Sequence, residues 1–387
     1  DVYEIDALEG GKVGGMARVA TLYQQLKREN PNTLFVLAGD FLNPSLIGTL
    51  KYEGKSIKGR QMVEVMNACG VDLVTFGNHE FDIKENELQE RINESTFEWI
   101  GTNVLQVEED ESIPGGKYNV PFHKEVNGEK IFIPKTYTWS IKDADGTEMK
   151  IGILGATINK NEKPYVFYED FMKEGSEAYL ELIPKTDLVI GLTHLEINED
   201  LQLAAELPNV PLLMGGHEHH HMQHQVGNVS ITKADANAKS AYVHRLSFNK
   251  KTGKHSLNSE LVQIDETIIP DPKVKGIVDK WANILLEKLQ TVYEKPEEVI
   301  YTTTEKLDGR DVMIRTRQTN MGEIFTAAIA ASAKKKADLA IMNSGAVRLD
   351  DQIGGKIQAI DIFRAMPFGG QVWEVAIMGD SLQRLLQ

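Results

Sequence analysis

The sequence predicts a two-domain α/β chain whose first domain is built in layers. Three observations point there. Four short apolar, β-branched runs each read as a buried strand that breaks at or near a glycine. They lie at residues 33–40 (TLFVLAGD), 71–82 (VDLVTFGNHEFD), 187–195 (DLVIGLTHL) and 210–221 (VPLLMGGHEHHH). Helical stretches alternate with these runs to about residue 220, the pattern of a layered α/β domain. A chain of 387 residues is also longer than one ordinary core supports.

Taken in order, residues 14–30 show helical apolar spacing at Ala17, Ala20, Leu22 and Leu26, with Pro31 as a stop. The first strand run follows and ends at Asp40. A second helix over 58–69 leads into the strand that starts at Val71. Residues 105–150 are polar and contain glycines, so they read as turns and hairpins. Residues 226–265 alternate apolar and polar side chains and read as antiparallel strands completing the sheet system. A boundary is expected next. Residues 268–298 open with two prolines and carry an amphipathic helix with Val274, Ile277, Val278, Trp281, Ile284, Leu285 and Leu289 on one stripe. This divides the chain into a domain over 1–267, a helical connector over 268–298 and a second domain over 299–387. The second domain restarts with the strand-like VIYTTT, has another apolar strand expected in ADLAIM, and stops inside an apparent helix, GDSLQRLLQ.

Composition excludes several classes. The 41% hydrophobic and 26% charged residues are ordinary for a globular protein. No run approaches the ~18 consecutive apolar residues of a membrane span. A net charge of −15 argues against nucleic acid as a partner. It leaves phosphate substrates open, because bound cations reverse the sign locally. Cys69, the single cysteine, cannot form a disulfide within the chain and is expected to be a buried packing residue. N-x-S sequons stand at Asn93 and Asn228. The chain begins at Asp1 without an initiator Met and is expected to be a fragment. The sequence carries no sign of oligomeric state.

The chemistry concentrates at the strand ends. In an open α/β sheet, ligands bind beyond the carboxyl ends of the strands. The four runs deliver Asp40, Asn78 with His79, His194, and His217 with His219 to that edge. Carboxylate, amide and imidazole together suit hard and borderline cations, so a binuclear metal site is the leading expectation. Asp82, three residues after His79, is placed to accept the imidazole N–H and fix its tautomer. Each motif alone has a plainer reading: Asp40 as a helix N-cap, His194 as a core histidine. The nearby His220, His221 and His224 are expected at the surface. In the second domain Arg315, Asn343, Arg348 and Phe368 offer guanidinium, amide and aromatic groups suited to a purine, ribose or anion.

Together these motifs resemble the 5′-nucleotidase family of calcineurin-like metallophosphatases, over nearly the whole chain. GD, GNHE-F-D, TH and GH-x-H stand in family order in the first domain, and NMG, N-S-G-x-x-R and PFG in the second. The resemblance implies a metallophosphatase β-sandwich flanked by helices, followed by a smaller substrate-binding domain. It implies two divalent ions drawn from Zn, Mn, Fe or Co, with Asp40 bridging both. Asn78, His194 and His217 would complete one site, and Asp1 and His219 would serve the other. His79, held by Asp82, would act on the transition state or leaving group, while Arg315, Asn343, Arg348 and Phe368 would hold the nucleoside. The implied reaction is hydrolysis of nucleoside 5′-monophosphates by metal-activated water. Related nucleotide diphosphates, sugar nucleotides or cyclic nucleotides are alternative substrates, and a nucleotide- or metal-binding protein with impaired catalysis is an alternative role. A secreted, periplasmic or cell-surface location rests on the resemblance alone. One departure stands out: the family opens with D-x-H, and here Tyr3 occupies the histidine position.

Overall fold

The structure is a computed structural model and describes residues 1–368 and 370–385. The chain divides into two compact units, Asp1–Val292 and Tyr293–Gln387.

In the first unit, β1 (Val36–Ala38), β2 (Leu73–Thr75) and β3 (Glu98–Ile100) run parallel in a three-stranded sheet. A second sheet holds β4 (Thr136–Lys142), β5 (Glu148–Thr157), β6 (Leu188–His194), β7 (Leu212–Gly215), β8 (Met222–Val226) and β9 (Val229–Lys233). Its order is β4-β5-β6-β7-β9-β8, parallel in the middle with antiparallel β4 and β8 at the edges.

Side-chain alternation along the strands builds the layers. Leu73 and Ile100 from the small sheet meet Ile151, Ile153, Ile190, Leu192 and Leu212 from the large one, so the sheets pack face to face. The opposite parity, Val74 and Trp99, faces α1 (Met16–Glu29), α2 (Arg60–Cys69) and α3 (Glu85–Glu94). On the far side Leu154, Val189, Leu213 and Ile231 pack under α4 (Phe171–Leu182) and α5 (Ile197–Glu206). The result is a helix–sheet–sheet–helix sandwich. α6 (Pro272–Gln290) starts on the Asp271 N-cap, whose Oδ1 accepts the Val274 N–H at 2.9 Å. It buries Val274, Val278, Trp281 and Ile284 in the same core as α1 and α2. Cys69 is buried and donates to the Met16 carbonyl at 3.5 Å, and burial pushes its thiol up to about 12.

Two sequence expectations for the first unit need correcting. The four motif-bearing strands do not share one sheet edge: β1 and β2 belong to the small sheet, β6 and β7 to the large one. Both sheets end at the same end of the sandwich, so the motifs still meet. Residues 226–265 also split. β9 pairs parallel with β7 inside the large sheet, while Ser240–Asn249 and Lys254–Gln263 form a separate two-stranded hairpin.

The second unit pairs Val299–Asp308 antiparallel with Gln352–Gln358. Its core gathers Leu307, Ile314, Met321, Phe325, Val347, Leu349, Ile357 and Ala365. The run ADLAIM forms no strand, and its Leu339 and Ile341 are exposed. Apolar content alone does not make a strand, which also needs a partner strand to pair with.

Candidate metal centre

Strand register brings the motif loops together. Ala38 lies beside Thr75 at the end of the small sheet, and Thr193 beside Gly215 at the end of the large one. The loops then close to distances that only glycine allows. A Cβ on Gly77 would lie 2.2 Å from Asp40 Oδ1, and one on Gly216 would lie 2.4 Å from the Ala38 carbonyl.

Asp40, His194 and His217 form the centre, each offering one ligand atom within 4.8 Å of the others. His194 is fully buried, and its Nδ1 lies 2.6 Å from the Ala38 carbonyl. A carbonyl only accepts, so Nδ1 carries the proton and Nε2 keeps its lone pair. That Nε2 points at Asp40 Oδ2, 3.1 Å away. Burial and the neighbouring His194 hold the His217 imidazole down at about 3, so it is neutral at ordinary pH. Burial alone would raise the Asp40 carboxyl. The neighbouring His194 and His79 imidazoles and the hydrogen bond from the His79 backbone N–H outweigh it and hold the group far below the usual range.

The other expected ligands are here too. Asn78 is buried, and its Oδ1 has no hydrogen-bond partner among the described residues. Buried amide oxygens are rarely left so. Asp1 Oδ2 accepts the His217 N–H at 2.8 Å, and Asp1 Oδ1 lies 3.6 Å from His219 Nε2. Tyr3 reaches the same space. Its hydroxyl is 3.2 Å from Asp40 Oδ2, 3.3 Å from Asp1 Oδ1 and 3.4 Å from His219 Nε2. The phenol of Tyr3 therefore faces candidate ligand atoms of Asp1, Asp40 and His219. His220, His221 and His224 are at the surface, with His221 on Asp235 at 3.0 Å. An orphaned amide oxygen, an aimed imidazole lone pair and a buried carboxylate form a donor set that fits a divalent cation.

Beside the cluster, His79 Nδ1 lies 2.5 Å from Asp82 Oδ2, and the His79 N–H donates to Asp40 Oδ1 at 2.7 Å. Asn43 holds the same Asp82 oxygen at 3.1 Å. Imidazole, orienting carboxylate and metal-type carboxylate are thus fixed as one unit.

Two structural devices lay outside the sequence reading. Glu80 is fully buried and accepts the backbone N–H groups of Asp40, Phe41, Leu42 and Gly77 at 2.6–3.2 Å. It ties the Asp40 loop to the Asn78 loop. The second is a buried ion cluster. Lys233 Nζ meets Asp200 Oδ2 at 2.7 Å, Glu218 and the Leu195 carbonyl. Glu218 Oε1 also accepts the Ile197 N–H at 2.6 Å, and Thr193 Oγ1 donates to Asp200 at 2.6 Å. This network joins the His194 loop to the loop carrying His217 and His219. Its sequence signal was parity: Lys233 shares a strand face with buried Val229 and Ile231.

The second-unit candidates form two pairs. Arg315 is exposed and donates to Asp311 at 2.6 Å, and a Cβ on Gly345 would sit 3.8 Å from its Nη1 and 3.4 Å from Asn343. Arg348 stacks its guanidinium 5.7 Å from the centre of the exposed Phe368 ring. Arg348 Nε is buried with no hydrogen-bond partner among the described residues.

Comparisons with known proteins agree with this layout. Residues 1–221 match the calcineurin-like phosphoesterase family, and residues 299–387 match the 5′-nucleotidase C-terminal domain. The trifunctional nucleotide phosphoesterase protein YfkN of Bacillus subtilis is 28% identical over 402 aligned positions, covering 96% of this chain and 26% of that protein. Human 5′-nucleotidase is 23% identical over 416 positions, covering 97% of this chain and 66% of its own length. The chain therefore spans less than two thirds of either relative. The crystal structure of a 5′-nucleotidase precursor from Thermus thermophilus superposes with a TM-score of 0.72 at 21% identity, covering 95% of this chain and 73% of that one. That likeness establishes a shared fold.

Proposed function

The chain belongs to the calcineurin-like phosphoesterase family, and on that premise we propose that it is a phosphoric monoester hydrolase acting on nucleoside 5′-monophosphates. One observation carries the reading: a candidate cation-binding cluster of Asp40, His194 and His217 flanked by the His79–Asp82 pair, in a chain whose second part matches a 5′-nucleotidase domain.

Two divalent cations are proposed, drawn from Zn, Mn, Fe or Co. Asp40 would contact both, Asn78, His194 and His217 would hold one, and Asp1 and His219 the other. When bound, such ions neutralise phosphate charge and make water acidic enough to act as a nucleophile. The chain's own residues do the rest. Asp82 keeps the proton on His79 Nδ1, so exchange of a proton with the departing nucleoside oxygen runs through Nε2. Glu80 and the Lys233 cluster keep the ligand loops in register. Arg315 and Asn343 would receive the polar part of the nucleotide, and Arg348 and Phe368 its base, by cation and ring-face contact.

A broader nucleotide phosphoesterase is the second reading, covering nucleotide diphosphates, sugar nucleotides or cyclic nucleotides. It is favoured by the name of the Bacillus relative. A secreted, periplasmic or cell-surface location is part of the proposal, supported by the precursor status of the Thermus protein. Among the described residues no helix is long and apolar enough to cross a membrane. Chromatographic detection of the hydrolysis products released from a panel of these four substrate classes tests the reading, since cyclic and sugar nucleotides can be cleaved without freeing phosphate. Preference for 5′-monophosphates supports it, preference for another class selects the second reading, and release from none rejects both.

A further inference from the structure

We propose that Lys160 and Asn161 form a phosphate-receiving lip over the metal centre, an inference that rests on the phosphoester hydrolysis proposed above.

The segment 158–161 leaves β5 and is fastened across three of the four motif loops. The Ile158 N–H donates to the His194 carbonyl at 2.7 Å. The Lys160 carbonyl accepts the Tyr168 hydroxyl at 2.6 Å, which fixes the backbone beneath the side chain. Asn161 adopts a left-handed conformation, φ 59°, and its Nδ2 donates to the Asn78 carbonyl at 3.3 Å. From this anchored backbone the Lys160 ammonium reaches to 3.3 Å from Nε2 of His217, a residue of the candidate centre. Its side chain is still 44% exposed, so an incoming anion has access to it.

The two side chains have capacity to spare. An ammonium carries three donors, and Lys160 places them toward Glu196 Oε1 at 2.5 Å and His217 Nε2. A phosphate oxygen can replace the neutral His217 nitrogen as the acceptor of that donor. Asn161 has two amide N–H groups. One is used by the Asn78 carbonyl. The other faces His79 Nδ1 at 3.3 Å, yet that nitrogen already gives its proton to Asp82 and cannot accept. With no acceptor in His79 Nδ1, this second amide N–H is left to donate to an incoming phosphate oxygen. The surroundings hold the carboxylates of Asp1, Asp40 and Asp82, so an approaching phosphate dianion gains from a fixed ammonium at the entrance.

The competing role for Lys160 is a surface ion pair with Glu196, and the two roles make opposite predictions. The experiment uses metal-loaded full chain and measures inhibition by inorganic phosphate, KM, kcat and metal content. Lys160→Met should weaken phosphate about tenfold, the loss of one partly screened charge-assisted hydrogen bond. KM should rise in parallel, kcat should change less, and metal content should stay at the wild-type level. Lys160→Arg should recover part of the loss, and Asn161→Ala should weaken phosphate about threefold. Glu196→Gln should leave phosphate binding equal to wild type or tighter. The inference is overturned if Lys160→Met keeps the phosphate constant within twofold, if Glu196→Gln reproduces its effect, or if its loss tracks lost metal. If wild type hydrolyses no ester, the hydrolytic reading fails by itself, and calorimetric binding of inorganic phosphate to loaded wild type and Lys160→Met still decides the lip.

Discussion

Replacing Lys233 with methionine tests the buried cluster that joins the two histidine loops. Lys233 and Asp200 are fully buried, and the ammonium spends its three donors on Asp200, Glu218 and the Leu195 carbonyl. Methionine fills the volume and removes the charge, leaving two carboxylates facing each other. Removing one partner of a buried pair typically costs about 3–5 kcal/mol. For a unit of this size that lowers Tm by roughly 5–8 °C. The cost should depend on pH in a definite direction. Burial already holds the Asp200 carboxyl above its usual range, against the opposing pull of Lys233 and Thr193. Losing the ammonium raises it further. A folded-state pKa above the unfolded value means the native state keeps a proton that the unfolded chain has released. The penalty is therefore greatest near pH 8 and shrinks as pH falls toward about 4, by at most about 1.4 kcal/mol per unit for each group. Denaturant titrations of chelator-treated protein at pH 5 and pH 8 measure it. A loss below about 1 kcal/mol, or a deficit that grows on acidification, would refute the reasoning. Replacing the cluster as a set, Lys233→Met with Asp200→Asn and Glu218→Gln, should recover much of the stability.

Three further outcomes follow from the site. His79→Ala should keep its metal while kcat falls about 10²–10⁴-fold, and Asp82→Asn should fall less; loss of metal from His79→Ala would make His79 a ligand instead. Tyr3→His should tighten the weaker of two cation affinities in titrations of stripped protein, because imidazole binds borderline cations better than a neutral phenol, and unchanged affinities would separate Tyr3 from that site. Phe368→Ala should raise KM for nucleotides several-fold and leave a small aryl phosphate unaffected; an equal effect on both substrates would argue against a base-stacking role.

How much of this was readable in the sequence depends on what each signal reports. Strand ends were legible because an apolar run, a glycine and a ligand-type residue follow one another at Asp40, Asn78, His194 and His217. Their division between two sheets was not, because a buried parallel strand reads the same in either. Glu80 escaped notice because an acid in a polar motif looks solvated, whereas four backbone N–H groups enclose it. Lys233 carried a visible clue in its parity with Val229 and Ile231. Only the fold shows that α5 brings Asp200 to it. The ADLAIM run illustrates the converse: strand formation is a property of a pair, and one segment's composition reports only half of it.

In the proposed reaction, Asp40, His194 and His217 would hold a divalent cation that supports hydrolysis of nucleoside 5′-monophosphates. Chelator-stripped protein, assayed for phosphate release from a nucleoside 5′-monophosphate as Mn, Zn or Co is added back, tests this most directly when run beside Asp40→Asn. The expected result is negligible release without metal, saturable recovery on addition, and a folded Asp40→Asn that recovers neither metal nor turnover. Full activity in stripped protein, or an Asp40→Asn variant that binds metal and turns over normally, would contradict it.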